Sequence, residues 1–182
     1  VLLAQSRAAL DQTFAHLPER EVRAVAGCLL RADQVLVCGA GSSGVIAEEY
    51  NYKLLRLGLR VTSLRDPHMA AMQATLLGRH SVLIAISRSG ATTDILRILR
   101  RARERAATTI VVTSKPKSTA ARMADHVLLA AGAESPIEGG SLNSEISAMF
   151  ILNAIYAVLL DLMPDSRELL VRTAQAVSDA RE

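Results

Sequence analysis

The sequence predicts an α/β domain, a three-layer α-β-α sandwich around a five-stranded parallel sheet. The first sign is a recurring pair: a short apolar, β-branched run (34–38, 82–86, 109–112), then a stretch with helical apolar spacing. Strands that are continuously apolar, not alternating, belong to a sheet covered on both faces. The second sign is size. A chain of 182 residues, 50% hydrophobic, supplies one substantial core and reads as a single domain over 1–182.

In order along the chain, residues 1–17 have Leu10, Phe14 and Leu17 at helical spacing. Pro18 suits the first turn of a second helix, whose stripe is Val22, Val25, Ala26, Leu29 and Leu30. The first strand is 34–38. A helix over 43–57 stops at Gly58, and a short strand covers 60–63. Asp66 and Pro67 open a short helix that ends by Gly78. The third strand, 82–86, precedes a helix to about 106, with Ile95, Ile98, Leu99 and Ala102 on one face. A fourth strand (109–112), a short helix (119–123) and a fifth strand (126–129) follow. The loop 131–140 is glycine-rich and carries Glu134 and Glu138. The helix over 144–162 is apolar nearly all round, so it needs cover on all sides, which predicts a dimer interface as well as a core role. Glu145, Asn153 and Asp161 interrupt it and argue against a membrane span. A last helix, 165–180, takes Asp165 or Ser166 as its cap. The domain thus divides into N-terminal helices (1–32), a core (33–163) and a C-terminal helix (164–182).

Chemistry concentrates after the first and third strands. Ser87, Ser89, Gly90, Thr92 and Thr93 form a hydroxyl-rich turn between the third strand and its helix. The backbone N–H groups that open a helix have no partner inside it, and the helix dipole adds partial positive charge there. Such a turn holds a phosphate. One hydroxyl suffices to cap a helix; the surplus here points to an anion site. A second turn, 39–44, reads Gly-Ala-Gly-Ser-Ser-Gly and follows the first strand. Both lie at carboxyl ends of strands, where open α/β sheets bind ligands.

The pair Gly-Ala-Gly-Ser-Ser-Gly (39–44) and Ser-Arg-Ser-Gly-Ala-Thr (87–92) resembles the two signatures of the sugar isomerase (SIS) domain. Within that family, the segments 52–58, 66–68, 124–128 and the helix 146–160 are similar to the sensor domains of RpiR-type transcription regulators. The resemblance covers about residues 20–170. It implies the flavodoxin-like strand order 2-1-3-4-5, with a crevice between the first and third strands. It implies a phosphosugar ligand held by Gly41, Ser42, Ser43, Ser87, Ser89, Gly90 and Thr92, with Glu145, His68 and the 131–145 loop towards the sugar. It implies a homodimer or tetramer in the cytoplasm, and DNA contact only through a helix-turn-helix module upstream of this chain. No cofactor or metal is expected. The alternative is an enzyme, a phosphosugar isomerase similar to 3-hexulose-6-phosphate isomerases. There Glu145, with His68, would shuttle the proton between adjacent carbons. The turn of those isomerases reads Ser-Gly-Ser-Gly, whereas Arg88 stands between the serines here.

Other features carry less. Gly39, Gly41 and Gly44 also fit a dinucleotide fingerprint, but Asp66 follows Gly39 by about 27 residues where the fingerprint expects about 20. Arg97, Arg100, Arg101, Arg103 and Arg105 crowd one helix and read as a solvated face. A net charge of +3 with five aromatics and no Trp gives no footprint of nucleic-acid binding. Cys28 and Cys38 lack metal-ligand spacing and read as small buried apolar residues of a reducing compartment. His16 and His80 have no evident partners, and His126 lies away from the ligand edge. No signal-peptide pattern is read.

Overall fold

The computed structural model describes residues 2–132 and 142–178. Five strands, β1 (Gln34–Gly39), β2 (Val61–Ser63), β3 (Ser81–Ile86), β4 (Thr108–Thr113) and β5 (His126–Leu129), form one sheet in the order β2-β1-β3-β4-β5. All four pairings are parallel. The order reverses between β1 and β3, as the family resemblance implies. The helices are α1 (Leu2–Ala15), α2 (Glu19–Leu30), α3 (Ser42–Arg56), α4 (Pro67–Thr75), α5 (Thr93–Glu104), α6 (Thr119–Met123), α7 (Leu142–Leu162) and α8 (Ser166–Ser178).

Because side chains alternate along a strand, each strand feeds two cores. Val35, Val37, Ile84, Ile110 and Val112 pack with α2, α3 and α7. Leu36, Cys38, Leu83, Ala85 and Val111 pack with α4, α5 and α6. Strand β3 is buried along its whole length, which explains its unbroken apolar run. Cys38 is 1% exposed, and burial pushes its thiol up to about 12.

One expectation needs correction. The buried face of α1 is Ala9 and Thr13, while Phe14 is 72% exposed. Small side chains let α1 lie close to α7, and Thr13 Oγ1 donates to Ala9 O (2.8 Å) and accepts from Ala131 N (3.0 Å). Apolar spacing alone favoured the larger residues. Helix α7 is not covered on all sides by its own chain. It buries Ala148, Ile151, Leu152, Ile155 and Leu159 and leaves Met149 and Leu162 exposed. It is long and apolar enough to cross a membrane by length and composition, yet its buried face is part of the core shared with α2 and α3.

Thr13→Val keeps the shape but leaves the Ala131 N–H unpaired. It is expected to cost about 1–3 kcal/mol, read as a lowered urea midpoint with an unchanged slope.

Candidate functional site

The register of the sheet sets the site. Cys38 lies opposite Ala85 and Gly39 opposite Ile86 in β1 and β3, and Ile86 lies opposite Val112 in β4. The three strands finish level, so the turns that follow them share one edge. Here lies a cavity of about 290 Å³.

The β1–α3 turn closes tightly. A Cβ on Gly39 would collide with the Ser43 backbone, and one on Gly44 would come within 3.0 Å of Gly39 O. This close approach lets α3 begin at Ser42, with Gly41 as its first flanking residue and no side-chain cap. The β3–α5 turn is pinned to the β4–α6 segment. Ser87 N donates to Val112 O (2.9 Å), Ser114 N to Arg88 O (3.0 Å) and Ala120 N to Gly90 O (2.9 Å). Thr113 Oγ1 donates to Arg88 O as well (3.1 Å). Helix α5 starts after Thr92, whose side chain makes no capping bond. The Thr92 and Ser87 hydroxyl oxygens are 3.5 Å apart, and Ser89 Oγ accepts from Ala91 N at 3.3 Å. The hydroxyls are thus not consumed by capping, and the open N–H groups of both helices face one place.

Gly41, Ser42, Ser43, Ser87, Ser89, Thr92 and Glu145 all line the cavity. Two expected residues do not. Gly90 is buried, its N–H donates to Ser87 O (3.0 Å), and its φ is 59°. A Cβ there would collide with Ser118, whose hydroxyl caps α6 by accepting from Ala121 N (3.2 Å). Its place is structural: it lets the turn pass over that cap. His68 is exposed on α4 and is not among the lining residues. Most of the expected 131–145 loop, residues 133–141, lies outside the described residues.

Sequence reasoning missed Arg88, Thr113 and Ser114, which also line the cavity, as does Ser144 at the end of the expected 131–145 loop. Arg88 is exposed between the two serines and brings the one positive side chain among the described lining residues, opposite in sign to Glu145. The Ser114 hydroxyl is shielded from solvent and has no partner among the described residues. A serine directly after the fourth strand was the available signal, since β4 ends level with β3. An unpaired shielded hydroxyl is costly unless something bonds it.

The competing features resolve locally. Asp66 caps α4, accepting from Met69 N at 2.7 Å, so its carboxylate is engaged at a helix start. On α5, Arg97 pairs with Asp94 (2.8 Å) and Arg101 with Glu104 (3.0 Å). Arg103 and Arg105 donate to the carbonyls of Met123 and Leu77.

A parallel 2-1-3-4-5 sheet with two serine-glycine turns meeting at its reversal point defines a class, and comparison with known proteins agrees. The SIS domain family model matches residues 28–158, and the chain belongs to that family. Its curated relatives include bacterial HTH-type transcriptional regulators, among them RpiR of Escherichia coli. An HTH-type transcriptional regulator of Haemophilus influenzae is 32% identical over 150 residues, 82% of this chain and 52% of the relative. The chain spans about half the length of the curated relatives it matches. Among solved structures, the sugar isomerase domain of the RpiR transcription factor from Sphaerobacter thermophilus superposes with a TM-score of 0.87 at 25% identity, covering 96% of each chain. The Vibrio vulnificus NanR protein complexed with ManNAc-6P superposes at 0.92 and 22% identity, covering 98% of this chain and 67% of that one.

Gly90→Ala tests the geometry of the turn. The left-handed backbone costs about 1–2 kcal/mol and the collision with Ser118 a further 1–3 kcal/mol or so. Denaturant unfolding is expected to show a combined loss of at least about 2 kcal/mol.

Proposed function

We propose that this chain is the phosphosugar-binding effector domain of an RpiR-type transcription regulator. The observation that carries the proposal is the meeting of two uncapped, hydroxyl-bearing helix starts, α3 and α5, in one cavity. Backbone N–H groups and the hydroxyls of Ser42, Ser43, Ser87, Ser89 and Thr92 take the phosphate. Arg88 adds charge to that grip, and Glu145 and Ser144 take the sugar hydroxyls. ManNAc-6P bound to NanR supports a sugar phosphate as the ligand class.

Control of DNA binding is assigned to a helix-turn-helix domain in a longer protein, in keeping with a curated relative of which the matched region is 52%. The assembly is a homodimer or tetramer in the cytoplasm. Exposed apolar side chains on α3 and α7, such as Val45, Leu55 and Met149, support self-association. A ligand alters DNA binding only if it binds two assembly states with different affinity.

Glu145 in the cavity favours one second reading, an aldose–ketose isomerase with Glu145 as base. Within the chain His68 does not join it at the cavity, so the sensor reading is preferred.

Ser87→Ala combined with Ser89→Ala is expected to abolish phosphosugar binding in titration calorimetry while leaving the melting temperature within about 2 °C, since neither hydroxyl holds the fold. Undiminished binding would remove the phosphate assignment. Incubation of the concentrated protein with ketose phosphates is expected to yield no interconversion. Turnover that disappears in Glu145→Gln would establish the isomerase instead.

A further inference from the structure

A second cluster of reactive side chains lies away from the cavity, where α2 crosses β5. His126 begins β5, and its Nδ1 is 2.7 Å from Glu21 Oε1. Its Nε2 is 3.8 Å from Cys28 Sγ. Glu21 and Cys28 are seven residues apart on α2, two turns along one face, and the imidazole sits between them. A carboxylate only accepts, so Nδ1–H donates to Glu21 and Nε2 is left as the acceptor facing the thiol. This is the order carboxylate, imidazole, nucleophile by which a base is oriented and a thiol activated. A metal site would need Glu21 and Cys28 to converge on one point. They occupy opposite nitrogens of the ring, and no metal-holding group of three occurs among the described residues.

We propose that Cys28 is an activated thiol and a modification site for hydroperoxides, with His126 as its base and Glu21 as the residue that positions His126. The thiol proton passes to His126 Nε2. The sulfur attacks one peroxide oxygen, an S–O bond forms and the O–O bond breaks. Sulfur is oxidised by two electrons to the sulfenic acid, the peroxide is reduced, and the departing alkoxide takes the proton from His126 to leave as the alcohol, or as water from hydrogen peroxide. Cys28 is only partly covered, and His126 and Glu21 retain 21% and 30% of their side-chain exposure, so the cluster is not closed off from solvent. Cys38, the only other cysteine, is fully enclosed and is an internal control.

The test is alkylation of the purified chain by iodoacetamide at pH 7, with each cysteine followed by peptide mass spectrometry. Cys28 is expected to react while Cys38 does not. Glu21→Gln and His126→Ala should each slow Cys28 by at least about threefold, the gain in thiolate being partly offset by weaker intrinsic nucleophilicity. The sign is diagnostic, because removing the ring also uncovers the sulfur. A faster reaction in His126→Ala means the ring merely shields Cys28 and overturns the proposal. If that variant does not fold, Glu21→Gln decides, and an unchanged rate there overturns it equally. Stoichiometric hydrogen peroxide should leave a dimedone adduct on Cys28 in the unmodified protein, and absence of the adduct contradicts the oxidation step. Phosphosugar binding plays no part in any of these readouts.

Discussion

In-register pairing of β1 with β3, Gly39 opposite Ile86, brings two helix N-termini side by side at one edge of the sheet. Parallel strands need crossover connections, and the strand order reverses between these two, so their helices depart to opposite faces and leave a crevice. Each helix start carries unpaired N–H groups and a partial positive charge. Neither α3 nor α5 spends a side chain on capping them. The cavity therefore presents donors that a bound anion satisfies at little cost in reorganisation, because the backbone that holds them is already fixed.

That fixing comes from β4. The β3–α5 turn contributes hydroxyls, but its shape is imposed by bonds to the segment after β4, from Ser114 N to Arg88 O and from Ala120 N to Gly90 O. Gly90 is part of this clamp, with its N–H spent inside the turn and its missing side chain making room for Ser118. Arg88 owes its position to the same carbonyl bonds. The cavity is thus a product of three strands ending level, while each turn alone would be an ordinary loop.

Much of this was legible in the sequence for a physical reason. Strands buried on both faces announce themselves as unbroken apolar runs, as at 82–86, and a hydroxyl-glycine turn directly after such a run marks the ligand edge. Strand order itself came from family resemblance; no local pattern encodes it. What escaped notice depends on contacts distant in sequence. Ser114 joins the cavity only because β4 pairs with β3. Gly90 was expected at the phosphate, but its N–H is spent on Ser87 O within the turn. Thr13 outranks Phe14 in α1 because Ala131 offers it an N–H across 118 residues. His126 was placed only as lying away from the ligand edge, and in three dimensions it lies between Glu21 and Cys28.

On the proposed function, the two turns grip a phosphate carried on a sugar. The most direct measurement is a thermal-shift series of the purified domain against sugar phosphates, each with its unphosphorylated sugar and with a nicotinamide dinucleotide as controls. Ligand at about 100 times its dissociation constant adds about 2.7 kcal/mol, a rise of several degrees for a domain of this size. The account predicts that at least one sugar phosphate raises the melting temperature and that its bare sugar does not. Stabilisation by the dinucleotide with none by any sugar phosphate would contradict it and return the 39–44 turn to the dinucleotide fingerprint.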